Sequence, residues 1–249
     1  MHALLPHPEA DVDVEGFILD ERREAPAGRP WVFLNMVTSV DGATATSGRS
    51  GALGGPADRR VFHALRASAD VVVAGAGTVR AEHYGPPRVT PELQQRRRER
   101  GQAELPRLAV VSGRLDLDLA GPFFTAADVP PLVITVEQAP ADVLAKTRAV
   151  ADVVTAGATR VDLGLALTRL HDLGARTVLV EGGPTLNGHL IAADLIDEVC
   201  LTLSPALVGG TSPRFALSDG LGGLLQLRLE RMLVDGDHLF LRYLRTSGA

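Results

Sequence analysis

From Pro30 onward, short apolar runs alternate with amphipathic stretches. Val32-Phe33-Leu34-Asn35-Met36-Val37 reads as a buried strand, and Val71-Val72-Val73-Ala74, stopped by Gly75, as a second. Leu108 to Val111, Leu132 to Val136, Val153-Val154, Val178 to Val180 and Val199 to Leu203 continue the series. These runs are β-branched and lack polar alternation, so both faces of each strand must be covered, as in a parallel sheet. Between them apolar positions recur at helical spacing. Pro56 suits the first position of a helix whose Val61, Phe62 and Leu65 share one face. Leu163, Leu167 and Leu170 follow the i, i+4, i+7 pattern, with Asp162 as cap and Gly174 as stop. The chain closes differently. Leu225 to Val234, the turn Asp235-Gly236 and His238 to Leu244 predict an antiparallel hairpin. The expected fold class is α/β, with a mixed, mostly parallel sheet and an antiparallel C-terminal hairpin.

Residues 1–29 break this pattern. They are acidic, interrupted by prolines and carry one apolar patch, Phe17-Ile18-Leu19. The expectation is an N-terminal arm over 1–29 that packs against one domain spanning 30–246. A length of 249 residues suits this division. Cys200 is the only cysteine, which excludes a disulfide framework, a thiolate zinc site and a CxxC redox pair. The formal net charge of -5 argues against a nucleic-acid surface. No uninterrupted apolar run reaches about 18 residues, and the N-terminus lacks the basic start of a signal peptide. A cytoplasmic protein without a membrane partner is expected. Gln94 to Gly101 holds Arg96-Arg97-Arg98 and Arg100; it is either a solvated charge run or a lid that grips phosphate.

In an open α/β sheet, ligands bind beyond the carboxyl ends of the strands. Three strand ends carry suitable chemistry. At Thr38-Ser39-Val40-Asp41-Gly42, Asp41 is either a turn-forming side chain or a ligand-facing carboxylate. At Gly75-Ala76-Gly77-Thr78, paired glycines let backbone approach a ligand, although Arg80 replaces the third glycine of a dinucleotide fingerprint. At Glu181-Gly182-Gly183-Pro184-Thr185-Leu186-Asn187, a glycine turn opens a helix and could cradle a pyrophosphate. Glu181 is either a local salt bridge or a ligand-contacting group. Arg59, His63 and Arg66 form one helical stripe, with Arg66 beside the cleft and His63 read as a surface residue. HExxH, GxSxG and Walker motifs are absent, as is a histidine-carboxylate cluster at metal spacing, and no metal site is expected.

Taken in order, Ser39-Val40-Asp41-Gly42, Ser47-Gly48-Arg49-Ser50, Leu65-Arg66, Gly77-Thr78-Val79 and Val180-Glu181-Gly182-Gly183 resemble the reductase domain of riboflavin biosynthesis. That family is the pyrimidine (diaminouracil) reductases, and the likeness runs from about Pro30 to Leu244. The resemblance implies a three-layer dihydrofolate-reductase-like fold, a homodimer through the late strands around Leu201 to Val208, and NADPH as hydride donor. It implies reduction of the ribosylamino group of 5-amino-6-(5-phosphoribosylamino)uracil, or a close relative, to ribitylamino. With a single cysteine, the zinc deaminase often fused to this family is not expected.

Carried over by position, Ser50, Arg66, Arg88 and Glu181 match substrate-binding residues, with Asn35 on the first strand as a neutral orienting group. Thr78, Glu82, Ser112 and the stretch Gly183, Pro184, Thr185, Leu186, Asn187 match cofactor contacts, with Gly75 and Gly182 in the same turns; Arg114 suits a 2′-phosphate. Asp41 and Glu181 are the catalytic candidates, stabilising a protonated imine as it accepts hydride. Two positions depart from the family, Asn35 for a lysine and Ala52 for a tryptophan. They motivate a dihydrofolate or pterin reductase as an alternative. A non-catalytic nucleotide-binding paralogue is a second.

Overall fold

The computed structural model describes residues 1–82, 84–221 and 223–246. In chain order the elements are β1 (His2–Leu5), α1 (Val14–Leu19), β2 (Trp31–Ser39), α2 (Pro56–Ser68), β3 (Val71–Gly75), α3 (Ala76–Ala81) and α4 (Pro91–Glu99). Then come β4 (Arg107–Val111), α5 (Pro122–Thr125), β5 (Leu132–Thr135), α6 (Ala141–Arg148), β6 (Asp152–Thr155) and α7 (Leu163–Asp172). β7 (Thr177–Val180), α8 (Pro184–Ala192), β8 (Glu198–Ser204), β9 (Leu227–Asp235) and β10 (His238–Arg245) complete the chain. The strands form one sheet in the order β1-β9-β10-β8-β2-β7-β3-β4-β5-β6. From β8 through β6 every neighbour is parallel, while β10 pairs antiparallel with both β8 and β9.

The apolar runs of the parallel half feed two cores in alternation. On β2, Phe33 enters the layer containing Leu65 of α2, whereas Val32 and Leu34 enter the layer containing Leu167 and Leu170 of α7. This period of two explains why the runs carry almost no polar residue. The expected helix signals are realised locally. Asp162 accepts from the Leu165 amide at 2.9 Å, and Gly174 sits at φ +96, the left-handed position that ends α7. The C-terminal hairpin turns through Gly236 at φ +56.

The N-terminal arm needs correction. Residues 2–5 form an edge strand on β9, and Ile18 and Leu19 of α1 are fully buried. Glu21 and Arg23 enter a buried ionic network beneath the antiparallel half. Arg23 donates to Glu198 at 2.7 Å and to Glu21 at 2.6 Å. Arg231 approaches Glu21 at 2.9 Å, Arg242 approaches Glu198 at 3.0 Å, and Trp31 Nε1 donates to Glu198 at 3.0 Å. Burial opposes the charge of Glu198, but Arg23 and Arg242 hold its carboxyl well below the usual range. The segment reads as irregular because its order comes from these distant charges and not from local periodicity.

The arginine-rich segment is the helix α4, and it does not reach the cleft described below. Arg98 and Arg100 are solvated as charge runs usually are. Arg97 is fully buried, with its guanidinium donating to the carbonyls of Ala67, Ala69 and Ala103. It ties the end of α2 to α4 and does not grip phosphate.

Candidate active site

A large cleft of about 1390 Å³ opens at the carboxyl ends of β2, β3, β4 and β7. Strand order explains its position. The chain runs outward from β3 to β6, then returns to place β7 between β3 and β2, and the crevice forms at that switch point.

Two turns build the floor. The Gly75 amide donates to the Gly182 carbonyl at 2.7 Å, and the Glu181 amide donates to Val73 at 2.9 Å. A Cβ on Gly75 would fall 3.4 Å from the Gly183 nitrogen, and one on Gly183 would fall 2.9 Å from Thr78 Oγ1. The close approach of the two strand-to-helix turns therefore favours glycine at 183, where a Cβ would be crowded, while at 75 it would make only an ordinary contact. The Gly182-Gly183 peptide is cis. α8 starts just beyond, with Pro184 in its first turn and the amides of Thr185 and Leu186 at its N-terminal end.

One wall is α2. Arg66 forms a bidentate pair with Glu181, at 2.8 and 2.7 Å. The Tyr84 hydroxyl donates to the same carboxylate. The guanidinium is sandwiched between the rings of Phe62 at 4.2 Å and Tyr84 at 4.7 Å. Both ionic side chains are almost fully buried, yet both line the cleft. Burial works against the charge of Arg66, and Glu181 more than compensates, raising its pKa. Burial and the Glu181 charge push the Tyr84 phenol well above its ordinary range, so it stays a proton-bearing donor.

Asn35, Ser50, Arg66, Gly75, Thr78, Glu82, Ser112, Arg114, Glu181, Gly183, Pro184, Thr185 and Leu186 all line this one cleft. Glu82 accepts from the amide and hydroxyl of Ser50 at 2.9 and 3.0 Å, so it fixes the 47–50 loop. Arg66 reaches the cleft already paired with Glu181.

Other positions lie elsewhere. Asp41 is not among the residues that line the cleft. Its carboxylate accepts from Ser39 at 2.5 Å and from the Gly209 amide at 2.7 Å. These hydrogen bonds, with that of Val208, hold it down at about 2. Arg88 lines a separate pocket with Pro87, Leu105 and Pro106. Gly182 lies behind the floor, and Asn187 is fully buried, donating to the Phe215 carbonyl at 2.8 Å and toward Met36 Sδ at 3.2 Å. Asn187 positions the turn from behind. His63 is half-buried, and burial, then the charges of Arg66 and Arg88, lower its pKa.

Sequence reading missed Tyr84, Asp58 and Arg160, which also line the cleft. Arg160 and Arg114 both line the cleft, and neither has an ion-pair partner among the described residues. Arg80 is paired with Asp116 at 3.3 Å. Asp58 and Arg59, in the first turn of α2, line the cleft as well.

This architecture matches the family model for the RibD C-terminal domain over residues 30–241. The chain belongs to the RibD C-terminal domain family. It is 36% identical over 222 residues to a 2,5-diamino-6-ribosylamino-4(3H)-pyrimidinone 5′-phosphate reductase of Methanothermobacter thermautotrophicus, covering 86% of this chain and 98% of that protein. A protein of the same name from Archaeoglobus fulgidus is 33% identical, covering 82% and 93% respectively. Among solved structures, a pyrimidine reductase-like protein of Corynebacterium diphtheriae superimposes with a TM-score of 0.83 at 26% identity, covering 95% of this chain and 100% of that one. The RibD-type domain thus accounts for the three-layer mixed sheet and for the place of its cleft. The family match begins at residue 30, after the ionic network has already recruited Glu21 and Arg23.

Proposed function

We propose that this chain reduces the ribosylamino side chain of a phosphorylated aminopyrimidine to ribitylamino, with NADPH as hydride donor. The observation that carries the reading is the Arg66–Glu181–Tyr84 cluster, joined through Glu181 to the glycine turns of the same cleft. The close homology to reductases named for such a substrate supports it.

The residues present suit a dinucleotide. Glycines at 75 and 183 keep the floor free of side chains, the amides opening α8 can face a pyrophosphate, and Arg114 and Arg160 can hold a 2′-phosphate. When bound, the cofactor supplies hydride. The substrate enters as the open-chain imine. Hydride forms the new C–H bond at the imine carbon, the C=N pair moves onto nitrogen, and that nitrogen carries a proton. The chain's part is to align, to exclude water and to stabilise the protonated imine. Glu181 supplies the negative charge, held in register by Arg66 from one side and Tyr84 from the other. Ser50, fixed by Glu82, and Asn35 orient the substrate, and Arg59 at the cleft mouth is the available cation for its phosphate.

The test is oxidation of NADPH and NADH with the aminopyrimidine phosphate, and with dihydrofolate in parallel. Turnover of the aminopyrimidine with NADPH preferred is expected. Turnover of dihydrofolate alone would transfer the reading to pterins, and tight cofactor binding without any turnover would make the chain a non-catalytic paralogue.

A cytoplasmic homodimer completes the reading. Leu201 and Leu203 of β8, Leu239 and Leu241 of β10 and Met232 of β9 share the sheet face opposite the ionic network, and all stay half-buried. A second copy can cover this apolar face. No helix among the described residues is long and apolar enough to cross a membrane.

A further inference from the structure

Between β8 and β9, residues 205–217 form neither helix nor strand, and none of them is buried. Phe215 is the residue of this stretch that packs against a core. Hydrogen bonds must therefore supply most of its order, and they do so at three places. At its start, the Val40 amide donates to the Ala206 carbonyl at 2.9 Å, and the Asp41 carboxylate accepts from the amides of Val208 at 3.2 Å and Gly209 at 2.7 Å. In the middle, Ser212 Oγ accepts from the amides of Thr44 and Ala45 at 3.2 Å, and Thr44 Oγ1 donates to the Pro213 carbonyl at 2.9 Å. At its end, the Leu217 amide donates to the Pro184 carbonyl at 2.9 Å and Asn187 Nδ2 to the Phe215 carbonyl at 2.8 Å. That last approach is close, since a Cβ on Gly188 would fall 1.8 Å from the Leu217 carbonyl oxygen. The stretch is a strap running from the turn after β2 to the first turn of α8, and Thr44, Ala45, Pro213 and Pro184 along it line the cleft.

We infer that Asp41 is a positioning residue, which anchors this strap and through it fixes where the first turn of α8 presents its amides to the cofactor. The inference rests on the proposed use of those amides for a dinucleotide. Asp41 does not line the cleft, so it acts through the backbone that it holds. One carboxylate serves three donors, the Ser39 hydroxyl and two successive amides, and its charge strengthens each bond. An asparagine could keep its oxygen on the Gly209 amide and turn its nitrogen toward Ser39 Oγ. An alanine leaves all three donors without an acceptor.

The experiment makes two measurements on the full chain, as wild type, Asp41→Ala, Asp41→Asn and Ser212→Ala. The first is amide hydrogen exchange without ligand. Asp41→Ala is expected to speed exchange at the Leu217 amide, which does not touch residue 41, by about tenfold or more, with β3 and β7 unchanged. The second is NADPH titration together with kcat at saturating NADPH. Asp41→Ala should weaken NADPH about tenfold and lower kcat much less, while Asp41→Asn keeps most of the affinity. Ser212→Ala cuts the same strap at its middle without touching Asp41. It should move both readouts in the same direction, and combined with Asp41→Ala the losses should add to less than their sum.

A fall in kcat at unchanged NADPH Kd, equal in Asp41→Ala and Asp41→Asn, overturns the inference and makes the carboxylate catalytic. Leu217 exchange unmoved in both Asp41→Ala and Ser212→Ala overturns it as well, as does faster exchange with an unaltered NADPH Kd. A wild type that binds neither NADPH nor NADH refutes the cofactor reading. Coupled exchange at Leu217 would then still uphold the link from Asp41 to α8.

Discussion

At the residue scale, the cleft is organised by a guanidinium that is almost out of water. Arg66 and Glu181 are each exposed by 7% or less, so neither charge survives there without the other. Breaking a buried pair strands an uncompensated charge and costs about 3–5 kcal/mol. Arg66→Ala is therefore expected to lower the urea midpoint as well as activity, whereas loss of a solvated phosphate clamp would raise KM and leave stability alone. Tyr84→Phe is the milder probe. It removes one hydrogen bond to a charged group, worth about 1.5–3 kcal/mol, and keeps both rings around the guanidinium. A fall in kcat of about tenfold or more with unchanged NADPH Kd is expected in steady-state assays. An unchanged kcat would remove the phenol from the site's working parts. Tyr84 was not legible in the sequence because nothing local marks it; its partner is 97 positions away.

Among the elements, the two glycine turns do the positioning. Both were visible as strand-to-helix punctuation, but their contact with each other was not. Gly183→Ala would drive a methyl to 2.9 Å from Thr78 Oγ1, whereas a Cβ on Gly77 meets nothing within 4 Å. Gly183→Ala is expected to weaken NADPH binding about tenfold or more in a fluorescence titration, about 1.4 kcal/mol, with Gly77→Ala close to wild type. Similar losses in both would show that glycine flexibility, and not the close approach, sets affinity. α2 shows the same division. Its apolar face follows from spacing alone, but Asp58 on its first turn gains meaning only from Thr202 and His238, on strands 144 and 180 positions later.

For the whole molecule, two features span long sequence separations. The first is the buried ionic network joining Glu21 and Arg23 to Glu198, Arg231 and Arg242. Glu198 has a folded pKa below its unfolded value, so its contribution is complete above the unfolded value and lost as pH falls through the folded one. Stability should decline progressively once pH drops below about 4.5, the ordinary glutamate value. Urea unfolding as a function of pH measures this, and Glu198→Gln should flatten that acid limb while lowering stability at neutral pH. The second is the half-buried apolar face of β8, β9 and β10. Leu241→Arg is expected to convert a dimer to a monomer by light scattering. A monomeric wild type would reject the dimer reading.

The sequence by itself determined the parallel half of the sheet, the capped α7 and the C-terminal hairpin, because period-two and period-3.6 burial, Asp162 and Gly236 act over a few residues. It also carried the order of motifs that brings Ser50, Arg66, Thr78 and Glu181 to one cleft. Only the tertiary structure decided which charges are free and which are spent. It paired Arg66 with Glu181, and sent Asp41 to the Val208–Gly209 amides and Arg88 to another pocket. It also turned an irregular arm into an edge strand and a buried network. The physical reason is the same throughout. Periodicity reports burial, which is local, whereas the partner of a charge is fixed by whichever distant side chain the fold brings within about 3 Å.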